Sequence, residues 1–384
     1  MDHKTGLEDY FIIKNNKKMR FGYTTGTCAA AASKAAVKML FSGEEIHSIP
    51  ILTPKGILLD LEILHISRTE HAVSCAVRKD AGDDPDMTNG LEIFAKVRKT
   101  EEPGIVLKGG RGVGQVTKKG LEQEVGNPAI NKVPRSMILQ NTEEVCQEYD
   151  YEKGLEIVIS VPGGEEVAKK TFNPRLGIMG GISILGTSGI VEPMSESALI
   201  RSIEIEMKQR VANGCEYLLV TPGNYGTAYL REHMDLPLED ALKCSNYVGE
   251  TIDMAVSMGV KGILFVAHIG KFVKVAAGIM NTHSRSADAR MEILGANAIR
   301  AGVSMETAKK IFSSVTTDEG ISYIEAEGKL KETMKEITNR ISFYLGHRAY
   351  ERILTGAVIF SNEQGYLGET ADAGKLIEYI KTQK

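Results

Sequence analysis

The chain has 384 residues, 42% of them hydrophobic, and a formal net charge of −4. That length exceeds one ordinary core and implies two domains, while the near-balanced charge leaves no basic footprint for nucleic acid. No run has the apolar length of a membrane span and the start MDHKTGLEDY is too polar for a secretory signal, so no membrane partner and a cytoplasmic location are expected. Five scattered cysteines (Cys28, Cys75, Cys146, Cys215, Cys244) form no CxxC pair or Cys/His cluster, which predicts reduced thiols and no protein-held metal.

Residues 1–20 read as a polar, lysine-rich and loosely held arm. Thr24, Thr25 and Thr27 then precede Ala29–Ala32, Ala35 and Ala36. Threonine caps and alanine propagates, so a helix is expected from near Thr27. Thr25 and Thr27 either hold an anion at that helix start or simply cap it. Cys28 reads as a small buried residue rather than an activated thiol. Strands follow at 57–66, 70–79 and 91–99. In them Leu59, Leu61 and Ile63, then Val73, Cys75 and Val77, then Leu91, Ile93, Ala95 and Val97 alternate with polar neighbours. Such alternation predicts a sheet covered on one face.

Two loops here carry charge. KDAGDDPDMTNG groups Asp80, Asp83, Asp84 and Asp86, without the spacing of a calcium loop. Its clustered oxygens could in principle hold a divalent metal, but it reads rather as a solvated turn or as carboxylates that accept hydroxyl donors from a ligand. LKGGRGVGQVTKKG mixes Lys108, Arg111, Lys118 and Lys119 with five glycines but contains neither GxGxxG nor GK[ST]. It suits carboxylates or phosphates, or is a glycine-rich hairpin with solvated charges. A helix over 134–149 and a strand over 155–161 complete this part, and the boundary is placed at 170/171.

Residues 173–195, NPRLGIMGGISILGTSGIVEPMS, form the centre of the chain. Ile182–Leu185 reads as a buried strand, Gly186-Thr187-Ser188-Gly189 as a turn, and Ser195 as the cap of a helix with Ile200, Ile203, Met207 and Val211 on one face. Strand, glycine loop and helix together suit close backbone approach to a ligand. Strands at 217–220, 262–267 and 357–361 then alternate with helices over 239–258 and 329–346. The expected fold is therefore two domains, an N-terminal α+β domain with a mostly antiparallel sheet (1–170) and a C-terminal Rossmann-like α/β domain with a mainly parallel sheet (171–384). Ligands bind beyond the carboxyl ends of parallel strands, and the loops 186–189, 222–226 and 268–271 are expected to share that edge. His268 and His283 read as structural hydrogen-bonding residues, and no catalytic nucleophile is identified.

RFGYTTGTCAAAASKAA, DAGDDPDMTNG, GIVLKGGRGVGQVTKKGL, VGNPAINKVPR, SVPGGEEVAKKTFNPRLGIMGGISILGTSGIVEPMSE, TPGNYG and HIGKFVKVAAGIMNTHSRSAD resemble the cobalt-precorrin-5B C-1-methyltransferase family of anaerobic cobalamin biosynthesis. The resemblance spans about residues 20 to 370. It implies transfer of a methyl group from S-adenosylmethionine to carbon 1 of a cobalt-containing corrin precursor, giving cobalt-precorrin-6A and S-adenosylhomocysteine. Cobalt then belongs to the tetrapyrrole substrate, not to the protein. On this reading Lys108 and Arg111 meet substrate carboxylates. Thr25, Thr27, Asp83 and Asp84 lie on the substrate side, the two aspartates accepting ribose hydroxyls or ordering the cleft. Gly181, Gly186, Thr187, Gly189, Gly223 and Asn224 hold the methyl donor in the C-terminal domain. Self-association into a homo-oligomer stays open. A nucleotide-dependent kinase or ligase is the alternative, opposed by the missing GK[ST], and a non-catalytic tetrapyrrole carrier is a third reading.

Overall fold

A computed structural model describes residues 3–14, 16–234, 236 and 241–383, with the main chain alone for Tyr225, Thr227 and Leu230. The chain divides into two compact units, Met1–Glu196 and Ser197–Lys384.

In the N-terminal unit the alanine-rich segment forms the helix Thr25–Ser42. Thr24 caps it, its side chain accepting from the Thr27 N–H, and Gly43 ends it in the left-handed region. Ala29–Ala32, Ala35 and Ala36 are all buried. Side chains this small let the helix lie between the helix Lys132–Glu148 and the strands Ala72–Arg78 and Glu92–Thr100. The sheet runs Leu64–Arg68, Ala72–Arg78, Glu92–Thr100, Gly154–Ser160, Ile105–Gly109, antiparallel except for the last pair. Val73, Cys75, Val77, Ile93, Ala95, Val97, Ile157 and Ile159 are buried, while Lys96 and Arg98 are exposed. One covered face is the physical content of the alternation.

Three expectations for this unit need correction. Residues 3–20 are not a loose arm: Phe11–Lys14 and Lys17–Arg20 form a hairpin with Phe11 opposite Arg20, and Leu7 is buried; residues 1, 2 and 15 lie outside the described residues. The strand over 57–66 is two strands. Leu58–Glu62 pairs with Ser48–Leu52, and Leu64–Arg68 joins the main sheet, with His65 at positive φ. The central stretch belongs to this unit, because every strand in it finds its partner here. Gly181–Ile182 runs parallel to Gly112–Val113, Ile178–Met179 pairs with Gln115–Val116, and Ile190–Val191 pairs with Gly22–Tyr23. The division consequently falls after Glu196, not at 170.

The C-terminal unit has a sheet in the order Ala241–Lys243, Tyr217–Thr221, Gly262–His268, Leu354–Ser361, Gly365–Glu369. The first four strands are parallel and the last is antiparallel. Leu218, Val220, Ile263, Phe265, Ala267, Ala357 and Ile359 enter one core, with Ile203 and Met207 of the helix Glu196–Ala212. Leu219, Leu264, Val266, Val358 and Phe360 enter another, with Leu376 and Ile380 of the helix Ala373–Thr382. Alternate residues of each strand thus feed two cores, which makes the sheet doubly wound. The expected helix over 239–258 is instead the strand Ala241–Lys243 followed by the helix Val248–Ser257; residues 239 and 240 lie outside the described residues. The short buried run Ala241–Leu242 is too brief to show a period, so helix and strand were not separable there.

Candidate functional site

In chain order the strands of the C-terminal sheet lie as second, first, third, fourth, fifth. The connection after the first strand (Tyr217–Thr221) goes to one side, and that after the second (Ala241–Lys243) crosses to the other. The first and third strands therefore flank the switch point, where open α/β sheets leave a crevice beyond their carboxyl ends. A cleft of about 290 Å³ lies there, lined by Pro222, Gly223 and Gly226 after the first strand and by His268, Gly270 and Lys271 after the third. Arg290 and the residues Thr316, Thr317 and Asp318 close it.

Each of these groups is held by its local structure. Lys271 Nζ donates to the Pro222 carbonyl at 2.7 Å and the Ser245 carbonyl at 3.5 Å. One ammonium thus ties together the loops that follow three neighbouring strands, and burial lowers its pKa. His268 ends its strand and caps the short helix that follows, Nδ1 accepting from the Gly270 N–H at 3.0 Å. An accepting Nδ1 places the proton of the neutral ring on Nε2, and burial lowers the imidazole pKa. Arg290 Nε and Nη2 hold Asp288 at 2.7 and 3.0 Å. Thr316 caps the helix Thr317–Ala326 by accepting from the Glu319 N–H, while Glu319 accepts from the Val315 N–H at 2.9 Å. Asp318 Oδ1 in the lining and Thr221 Oγ1 at the end of the first strand are buried with no hydrogen-bond partner among the described residues.

The six residues expected to hold a donor divide between the two units. Gly223 lines the cleft. Asn224 starts the next helix, and its Oδ1 accepts from Lys243 Nζ at 3.1 Å. Gly181, Gly186, Thr187 and Gly189 lie in the N-terminal unit, so the three loops do not share one sheet edge. The closeness that their glycines permit is to the chain itself. A Cβ on Gly181 would stand 2.3 Å from the Gly112 carbonyl carbon, and one on Gly186 2.2 Å from Thr24 Oγ1.

The 185–189 loop in turn occupies the helix start expected to bind an anion. The Leu185 carbonyl accepts from the Gly26 N–H at 3.0 Å and from Thr25 Oγ1 at 3.1 Å, and the Leu185 N–H donates to Thr25 Oγ1 at 3.0 Å. Thr27 Oγ1 donates to the Gly189 carbonyl at 2.7 Å. Thr25 and Thr27 are buried, with 2% and 0% exposure, and are fastenings for this loop rather than ligand groups. Burial pushes the neighbouring Cys28 thiol up to about 12, as suits a packing residue.

The acidic loop makes internal contacts as well. Asp83 Oδ2 accepts from the Arg20 N–H at 2.5 Å, and Asp84 Oδ1 from the Met194 N–H at 2.9 Å. Asp80 grips the Arg20 guanidinium at 2.6 and 3.0 Å, and Asp86 accepts from Lys79 Nζ. Asp83 and Asp84 therefore each use one carboxylate oxygen to pin the N-terminal hairpin and the 192–194 segment. Lys108 Nζ donates to Glu156 at 2.6 Å. Together with Arg98 it holds that carboxyl down to about 2, the Arg98 hydrogen bond contributing most. Arg111 reaches Glu165 only at 3.4 Å and keeps 78% of its side chain exposed. Of the residues expected on the substrate side, Arg111 is the least engaged.

His283 is exposed in a turn, its Nδ1 accepting from the Arg285 N–H, and does not line the cleft. Among the described residues no group of three His, Cys, Asp or Glu side chains is arranged to hold a metal ion. No helix among them is long and apolar enough to cross a membrane. Thr316–Asp318 were missed from the sequence, although Thr316-x-x-Glu319 carries the spacing of a capping box and so marks a helix start.

The family model described as CbiD matches residues 12–193, and that described as CbiD, C-terminal domain, matches residues 281–371. A relative from Ruminiclostridium cellulolyticum named cobalt-precorrin-5B C(1)-methyltransferase is 50% identical over 352 residues, 92% of this chain and 91% of its own. One of the same name from Alkaliphilus metalliredigens is 46% identical over 373 residues, 97% and 98% of the two chains. A crystal structure of a cobalamin biosynthesis protein from Archaeoglobus fulgidus is 30% identical, with a TM-score of 0.39 over 74% of this chain and 88% of that one.

Proposed function

The chain belongs to the CbiD family, and from that premise we propose how it acts. It is a methyltransferase that places a methyl group on carbon 1 of cobalt-precorrin-5B, a step of cobalamin biosynthesis. The methyl donor is S-adenosylmethionine and the product cobalt-precorrin-6A. The donor sits in the switch-point cleft of the C-terminal unit, and the setting is cytoplasmic. The single observation that carries the donor's place is the cleft itself, at the position where doubly wound sheets bind their ligands.

The chemistry asks little of side chains. A sulfonium methyl is already electrophilic. The bond from carbon 1 to the methyl carbon forms as the methyl–sulfur bond breaks, and sulfur keeps the electron pair, leaving as the neutral thioether of S-adenosylhomocysteine. Alignment and exclusion of water supply the rate, and proximity alone contributes roughly 7–11 kcal/mol in favourable cases. Incubation with ¹³C-methyl donor and cobalt-precorrin-5B should place the label on carbon 1 by NMR. Label on another ring carbon, or none with tight macrocycle binding retained, would refute this reading.

Arg111, exposed and barely paired, is assigned to a substrate carboxylate. Losing a charge-assisted contact costs roughly 1.5–3 kcal/mol. Arg111→Ala should therefore raise the macrocycle KM by about tenfold or more and leave S-adenosylhomocysteine affinity unchanged. An unchanged KM in steady-state kinetics would remove Arg111 from the substrate site.

A further inference from the structure

Asp318 is the least satisfied group in the cleft. Its Oδ1 is buried and accepts nothing among the described residues, although the residue lines the cleft. A buried acceptor left alone costs free energy, so this oxygen is open to a donor from a ligand; the His268 ring faces the same carboxylate, whose charge raises the imidazole pKa against the larger lowering by burial. Opposite chemistry stands beside it. Thr317 and Asp318 begin a helix of 10 residues, and their N–H groups have no intrahelical acceptor. Arg290, also in the lining, spends Nε and Nη2 on Asp288, and no bond of its Nη1 to another described residue is found.

A carboxylate acceptor, a guanidinium and a helix start around one cleft match a zwitterion. We propose that Arg290, the Thr317–Asp318 helix start and Asp318 Oδ1 bind the amino-acid end of the methyl donor. The donor's α-carboxylate meets Arg290 and the helix N–H groups, where the dipole favours an anion. Its α-ammonium meets Asp318 Oδ1 and supplies the missing partner. The adenosine end then lies toward Pro222 and Gly223. This rests on the donor's place in the cleft but is more specific: the amino-acid end, not the nucleoside, is read by Asp318. Charge on both ends of the contact makes binding depend on a zwitterionic ligand.

The test compares S-adenosylhomocysteine with 5′-methylthioadenosine, which keeps the nucleoside and thioether and lacks the amino-acid end. Calorimetry on the full chain should show Asp318→Asn weakening S-adenosylhomocysteine by about 10- to 100-fold. Its 5′-methylthioadenosine affinity should change by less than about twofold. Arg290→Gln should show the same selectivity. The unliganded Asp318→Asn protein should melt within about 2 °C of wild type, because the buried Oδ1 has no hydrogen bond to lose. Equal weakening of both ligands, no weakening of either, or a melting temperature lowered by more than that would overturn the assignment of Asp318. If the wild type binds neither ligand, the donor's place in the cleft fails first, and the assignment with it.

Discussion

Gly186→Val should lower the melting temperature of the N-terminal unit by about 6–12 °C, on roughly 3 kcal/mol at about 2–4 °C per kcal/mol for a unit of this size. Gly186 has φ +143°, and a Cβ there would stand 2.2 Å from Thr24 Oγ1 and 2.5 Å from Thr24 Cβ. Thr24 cannot step aside freely, because its side chain caps the helix Thr25–Ser42. A side chain in that backbone region costs about 1–3 kcal/mol, and a lost cap adds about 1 kcal/mol. The loop also carries the Leu185 and Gly189 carbonyls that satisfy Gly26, Thr25 and Thr27, so displacing it uncovers several donors at once. Thermal unfolding followed by circular dichroism measures the shift. Where the variant is folded, S-adenosylhomocysteine binding by the C-terminal unit should persist. An unchanged melting temperature would mean that the loop is not seated on Thr24.

The contrast between Gly186 and Gly223 shows what the sequence could and could not tell. Both are glycines in loops after short apolar runs, and both read as backbone left open for a ligand. In space one faces Thr24 and the other faces the cleft. A glycine signals close approach but not to what, and that is settled by pairing across distant segments such as Gly181 with Gly112. The same limit explains Thr25, Thr27, Asp83 and Asp84. Their side chains are of a kind that binds ligands, but the chain itself supplies the partners: Leu185, Gly189, Arg20 and Met194. Periodic features were read well, since they depend only on neighbours. The alanine helix, the alternating strands around Val73–Val77 and Ile93–Val97, and the parallel strands Tyr217–Thr221 and Gly262–His268 are all present. The loops 222–226 and 268–271 do converge, because adjacent parallel strands must end on one edge. Arg290 and Thr316–Asp318 come to that edge from segments with no periodic link to it, and only the tertiary fold assembles them.

Gly223→Val is the change that isolates the cleft. Gly223 does not sit at positive φ, and the nearest atom to a Cβ there is Lys271 Nζ at 3.6 Å, an ordinary contact. Valine therefore fits the backbone and extends into the lining of a space of only about 290 Å³. The melting temperature should stay within about 2 °C of wild type, as for a substitution that meets open space. The donor should lose its room, because a pocket this small cannot absorb a branched side chain without displacing ligand atoms. Calorimetric titration of S-adenosylhomocysteine into the folded variant tests the assignment most directly. Affinity reduced by about 100-fold or more, at an unchanged melting temperature, is the predicted result. Wild-type affinity in that variant would contradict it and remove the donor from the C-terminal cleft.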